Sequence, residues 1–184
     1  MVEPLLLTAT RIVTVCNGVE RSNASGFFFQ DRGRLFVVTC LHVLCDPTSG
    51  HYPDTIEIEI HVDRVNLTRV VKIRLPLYAS DAPCWLGVSD LGGGVDIAGV
   101  EIPRDLLPPE AFFCAFMEKD LPESTARIEL GTAMLVLGFP LGFHDALHHL
   151  PVARQAINAS SFDLRFQGQG YFLTDSRTHR GVAC

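Results

Sequence analysis

An all-β fold, a sandwich or barrel of about a dozen short strands, is what this amino-acid sequence points to. Turn-forming residues recur at intervals of roughly ten positions, with β-branched and aromatic runs between them. No stretch sustains the apolar spacing of an amphipathic helix over several turns. The 184 residues are 47% hydrophobic and 20% charged, sufficient for one large domain or two small ones with a real core.

Residues 5–16 are rich in β-formers and run into Asn17-Gly18, a dipeptide suited to the positive φ angles of a tight hairpin. A polar lead-in at 20–25 precedes a second strand at 27–30, and Asp31-Arg32-Gly33-Arg34 turns the chain back onto a third at 35–39. That strand opens the stretch L-F-V-V-T-C-L-H-V-L-C-D and delivers His42 just past its exit, at the rim of a buried core. Strands follow at 55–62 and 68–75. In the first of these, Ile56, Ile58 and Ile60 alternate with Glu57 and Glu59, which predicts one apolar face and one wet face. After a loop at 76–83 come a short apolar piece at 84–88, a glycine turn at 90–94 and a strand at 95–102 with one acid, Asp96, among apolar neighbours. Pro103, Pro108, Pro109 and Pro122 punctuate a connector between two halves. Beyond it, a strand at 132–137 ends in Gly-Phe-Pro-Leu-Gly, a histidine-rich loop occupies 144–149, and strands are expected at 150–160, 161–166 and 171–174 before the last segment, 175–184.

The formal net charge is −6, and the 15 lysines and arginines form no run, so no nucleic-acid surface is expected. The N-terminal residues lack the basic and long apolar regions of a signal peptide, and no window reaches the roughly 18 apolar residues of a spanning helix. A cytoplasmic location without membrane attachment is the expectation. The six cysteines are irregularly spaced and several sit in apolar runs, which suits reduced thiols.

Five pieces in order resemble the trypsin-like serine peptidases of the chymotrypsin fold, particularly the HtrA-like branch. Ser25-Gly26-Phe27 is similar to that family's S-G-F strand opening, V-V-T-C-L-H-V to its histidine motif and V-D-I-A-G-V-E-I to its acid motif. V-L-G-F-P-L-G resembles its G-x-P-x-G turn, and T-D-S-R-T-H-R-G its approach to the nucleophile. The resemblance spans residues 24–181 and implies a double antiparallel β-barrel: an N-terminal barrel at 1–105 carrying the histidine and the acid, a connector at 106–128, and an incomplete C-terminal barrel at 129–184. The implied activity is endoproteolysis of a peptide or protein substrate by a Ser-His-Asp triad. A serine hydroxyl needs an imidazole to take its proton and a carboxylate to orient that imidazole; His42 and Asp96 fit base and orienter.

The family's serine stands eight residues beyond the aspartate of the T-D pair. Counted from Asp175, that position is Ala183, so the chain as written is expected to be inactive. Its family also has further strands after this point. Three explanations stand: a fragment carrying a serine-to-alanine change, a degenerate peptidase kept as a non-catalytic binding module, or a cysteine variant using Cys184, whose spacing from Gly181 is one residue too long. By resemblance the oxyanion hole is formed by the backbone N–H groups of Gly181 and Ala183, and Arg177 lies near the base of the substrate pocket. An open second barrel would present an unpaired edge and favour self-association. Cys40, His42 and Cys45, and His144, Asp145, His148 and His149, offer metal-ligand types, but neither group has the two tight ligand pairs of a structural zinc site. No metal and no cofactor is expected.

Overall fold

The structure, a computed structural model, describes residues 2–176. Strand β1 (Ala9–Cys16) turns at Asn17 (φ 51°) and Gly18 (φ 76°) into the long strand β2 (Val19–Asp31). A second turn of the same kind, at Arg32 (φ 46°) and Gly33 (φ 78°), leads into β3 (Arg34–Thr39). These are the left-handed positions the two glycine-containing turns require. One helical turn, α1 (Leu41–Leu44), follows β3. Strand β4 (Thr55–His61) pairs with the other side of β1, and β5 (Val70–Pro76) lies beyond it. The two-residue strands β6 (Tyr78–Ala79) and β7 (Ala82–Pro83) make a small hairpin inside the stretch expected to be a loop. Strand β8 (Trp85–Asp90) folds back on β9 (Gly93–Ile102), which pairs with β3.

The main sheet therefore runs β5-β4-β1-β2-β3-β9-β8, with the short β10 (Phe116–Met117) parallel to β2 at one side. In the second half, β11 (Ala133–Gly138) and β12 (Val152–Ile157) form a separate antiparallel pair. The all-β, antiparallel expectation holds, but no barrel closes among the described residues: the path ends at β5 and β8. Pro76 and Pro83 flank the chain between these two edges, and proline has no N–H with which to continue a ladder.

The core is the inward face of this sheet. Ile12, Val37, Ile56, Ile58, Ile60, Leu75, Leu77, Ala98, Val100 and Ile102 are all at most 2% exposed. Burying each of the larger side chains stabilises the fold by about 1.5–3 kcal/mol relative to leaving it in water. The connector belongs to this packing. Phe113 packs on Phe28 with ring centroids 5.1 Å apart and planes tilted by 45°, and Phe116 meets Phe27 edge-on at 5.9 Å. The Phe112 N–H donates to the His61 carbonyl (2.7 Å) and that of Cys114 to Leu7 (3.1 Å).

Some local expectations differ from the structure. The carboxylate face of β4 is not wet: Glu57 is 6% exposed. Lys72 Nζ lies 2.6 Å and Arg74 Nε 3.1 Å from its carboxylate, both from neighbouring β5. Loop 145–150 covers the rest of that face, with His149 Nδ1 3.1 Å from Glu59 and His61 Nε2 donating to the His148 carbonyl at 2.8 Å. Buried carboxylates persist only with such partners. The polar stretch 20–25 is strand rather than lead-in, because its side chains find cross-strand partners: Ser22 and Thr14 share a hydroxyl hydrogen bond (2.7 Å), and Arg11 Nε donates to Asn23 (2.8 Å). Residues 161–166 and 171–174 form no strand; isolated bridges, Asn158 with Thr174 and Phe166 with Gln169, and the Phe162–Phe172 ring contact at 4.7 Å hold them. Cys16, Cys45, Cys84 and Cys114 are free thiols, whereas Cys40 is disulfide-bonded, against the expectation of reduced thiols throughout.

Candidate active site

His42 and Asp96 are far apart in sequence and meet because of strand register. β3 and β9 are antiparallel, and their last pair is Thr39 with Ala98. Continuing the count past the end of β3 brings Leu41 opposite Asp96, so the helical turn after β3 lands beside the acid. Its carboxylate takes His42 at two points. The His42 backbone N–H donates to Oδ1 at 2.9 Å, and ring Nδ1 lies 2.6 Å from Oδ2. An ionised carboxylate only accepts, so Nδ1 is the donor in this bond, and in the neutral imidazole Nε2 then carries the lone pair. That is the tautomer of a general base.

How Asp96 reaches this position is a feature the sequence did not reveal. By strand alternation it shares the face of Ala98 and Val100, both buried. Yet β8 pairs Gly87 with Ala98 and then Val88 with Val95, so Asp96 and Ile97 are extra residues on β9. This bulge re-aims the carboxylate out of the core toward the sheet end. The apolar alternation of 95–102 hides it, and only the glycines on β8 and β9, Gly87, Gly93, Gly94 and Gly99, hint at an irregular strand. The dyad is more open than a triad's buried acid implies: the side chains of His42 and Asp96 are 58% and 52% exposed.

Ser25-Gly26-Phe27 also acquires a physical reason. Ser25 Oγ accepts the backbone N–H of Phe139, in the Gly-Phe-Pro turn of the second half, at 2.8 Å. The Thr39 hydroxyl, three residues before His42, donates to the Ser25 carbonyl at 2.8 Å. One residue thus ties the exit of the histidine strand to the second half. At Gly26 a Cβ would lie 2.7 Å from Ile12 and 2.8 Å from Val37, so only glycine fits.

In the second half, Asp175 caps the end of β12. Its N–H donates to the Ile157 carbonyl (3.0 Å), and its Oδ1 accepts the Ile157 N–H (2.7 Å). The T-D segment is thereby anchored to the end of β12. Ala183, Gly181, Arg177 and Cys184 lie outside the described residues. Of the metal-ligand types, Cys40, His42 and Asp96 place donor atoms within 4.8 Å of one another. The Cys40 sulfur is in a disulfide and offers no thiolate, and His42 Nδ1 is engaged with Asp96. Of the loop histidines, His148 Nδ1 bonds Asp145 Oδ2 (2.7 Å), His149 bonds Glu59, and His144 Nδ1 donates to the Gly142 carbonyl (2.5 Å).

No protein-family model and no curated protein matches the chain. Among solved structures it is similar to a serine endoprotease from Yersinia pestis, at 17% identity and a TM-score of 0.47, over 85% of this chain and 42% of that one. A protease from M. tuberculosis in its active form aligns at 20% identity and a TM-score of 0.42, over 92% of this chain and 56% of that one. A thermostable serine protease from an extremophilic microorganism aligns at 9% identity and a TM-score of 0.46, over 86% and 69% of the two chains. The chain spans about half the length of the first two structures. No described helix is long and apolar enough to cross a membrane.

Proposed function

We propose that this chain carries the base half of a trypsin-like serine endopeptidase acting on a peptide or protein, with His42 as general base and Asp96 as its orienter. The observation that carries this reading is the two-point grip of Asp96 on His42, delivered by a bulge at the end of the main sheet. A single hydrogen bond to a surface histidine is commonplace. A carboxylate that takes both the ring and the backbone N–H fixes ring plane and tautomer together, which general-base catalysis needs and stability does not. In this reading Ala183 stands at the serine position, Gly181 and Ala183 supply the oxyanion-hole N–H groups, Arg177 lies at the substrate pocket, residues 1–105 and 129–184 are the two functional halves, and the location is cytoplasmic.

The chain as written then hydrolyses nothing at a useful rate. Loss of the nucleophile in a triad enzyme costs on the order of 10⁶ in turnover. Ala183 followed by Cys184 favours a second reading, a non-catalytic module that uses the same cleft to bind peptide. Ala183→Ser tests the first. Labelling of that variant by a fluorophosphonate probe, lost again in Ala183→Ser/His42→Ala, supports a latent peptidase. An unlabelled variant that still binds peptide supports the module.

A further inference from the structure

We propose that Arg165, in the second half, is a positioning residue for Asp96; this rests on the peptidase reading above. Strand β3 accompanies β9 only as far as Ala98, so residues 93–97 have β8 as their sole strand partner among the described residues. β8 is itself an edge strand, with Leu86 58% and Val88 52% exposed. A two-stranded ribbon broken by a bulge is marginal in water, and nothing in its own pairing fixes where its tip, and with it Asp96, points.

Arg165 supplies that constraint. Its Nη2 donates to Asp90 Oδ1 at 2.5 Å and to the carbonyls of Gly93 (3.0 Å) and Gly94 (3.4 Å). Nε lies 3.3 Å from Asp90 Oδ2, and Nη1 donates to the Gly168 carbonyl at 3.0 Å. The guanidinium thus joins the β8–β9 turn to the 165–168 turn of the second half, and its side chain is only 20% exposed. The turn is shaped around it: a Cβ on Gly92 would lie 2.3 Å from Arg165 Nε. Gly170 packs on Val95, the residue before Asp96, where a Cβ would meet Val95 at 3.2 Å. The hydrogen bond from Arg165 also holds the Asp90 carboxyl below its ordinary pKa, so the contact stays charge-assisted at neutral pH. A planar fork reaching carboxylate and carbonyls at once is something lysine cannot reproduce.

The test is ¹⁵N NMR of the His42 ring in the full chain, which needs no hydrolysis. The parent is expected to show a single tautomer with the proton on Nδ1, and Asp96→Asn to lose that pattern. Arg165→Gln is expected to lose it too, giving mixed tautomers, with Arg165→Lys between the two. Arg34→Gln, which breaks the Arg34–Glu101 pair elsewhere on β9, is expected to leave it intact. A parent without the single-tautomer pattern, indifferent to Asp96→Asn, overturns the peptidase reading and this proposal with it. A parent with that pattern and an unchanged Arg165→Gln spectrum overturns only the role of Arg165. Should Arg165→Gln fail to fold, Asp90→Ala decides by the same spectrum, since Asp90 is exposed and its loss removes the carboxylate that pairs with the guanidinium. A shift toward mixed tautomers smaller than that of Asp96→Asn is then expected, and an unchanged spectrum overturns the role of Arg165.

Discussion

Gly26→Ala places one methyl group where β2 passes between β1 and β3. The new Cβ would stand 2.7 Å from Ile12 Cδ1, 2.8 Å from Val37 Cγ2 and 3.1 Å from the Val38 carbonyl oxygen. Ile12 and Val37 are both 0% exposed, so neither has room to swing away, and a carbonyl in a sheet ladder cannot rotate. Overpacking of a tight core costs about 1–3 kcal/mol. With two fully buried side chains and one backbone atom in the way, the upper part of that range, about 2–3 kcal/mol, is expected. For a chain of this size that lowers Tm by roughly 4–12 °C. Thermal and urea denaturation followed by circular dichroism measure it, with Gly87→Ala as the control. Gly87 is also in a strand, but a Cβ there meets nothing within 4 Å. The control should stay within about 0.5 kcal/mol of the parent. Equal melting of Gly26→Ala and Gly87→Ala would refute the claim that close approach, rather than turn chemistry or ancestry, dictates glycine in the S-G-F opening.

Ser25→Ala removes the acceptor for the buried Phe139 N–H and should cost about 1–3 kcal/mol, with faster hydrogen exchange at the Phe139 amide as its signature. In the serine-restored chain, Ala183→Ser/Asp96→Asn should cleave on the order of 10⁴-fold more slowly than Ala183→Ser, because the imidazole loses its fixed tautomer. Stability should fall on acidification in two stages. Burial lowers the His61 pKa below its ordinary 6.5, only partly countered by the His148 carbonyl, with His149, Glu59 and His148 as the charged neighbours. The unfolded chain therefore takes up that proton first, and the stability His61 contributes, full above about 6.5, is lost as pH falls. For Glu57, burial raises the pKa, but hydrogen bonds from Lys72 and Arg74 more than offset it, and the net value lies below 4.5. Its contribution is full above that value and disappears as pH falls through the depressed one. Urea midpoints measured between neutral and acid pH should show both stages, and His61→Asn should flatten the first.

The strands that bury one face and solvate the other were legible because their alternation is short-range and their turns carry positive-φ residues. Asn17-Gly18 and Arg32-Gly33 define two hairpins from sequence alone, and the strands expected at 35–39 and 55–62 appear, within a residue, as Arg34–Thr39 and Thr55–His61. The wet face assigned to Glu57 and Glu59 was misread because alternation says which side a residue faces, not what covers that side. The covering groups, Lys72, Arg74 and loop 145–150, come from other parts of the chain. The strands expected at 161–166 and 171–174 failed for the opposite reason: apolar content without a ladder partner does not make a strand. The motifs singled out His42 and Asp96, which the structure places in contact, while the bulge that turns Asp96 toward His42 depends on where β8 pairs, which no local pattern encodes.

Those two kinds of information divide the candidate site unevenly. Within the main sheet, register between β3 and β9 brings the two residues together, and the bulge turns the acid toward the imidazole. The second half reaches that geometry through separate polar contacts, Phe139 on Ser25, His148 and His149 on β4, and Arg165 on the β8–β9 turn. The His42–Asp96 contact does not need a nucleophile to hold it, since its hydrogen bonds among the described residues are made between these two residues. In the proposed reading, substitution at position 183 therefore removes bond cleavage without disturbing the His42–Asp96 contact, and the latent-peptidase and binding-module readings differ by one oxygen atom. Peptide affinity measured on the parent and on Ala183→Ser should accordingly agree, with chemistry alone distinguishing them; a large gain in affinity on restoring the serine would mean that the site depends on the hydroxyl for its shape.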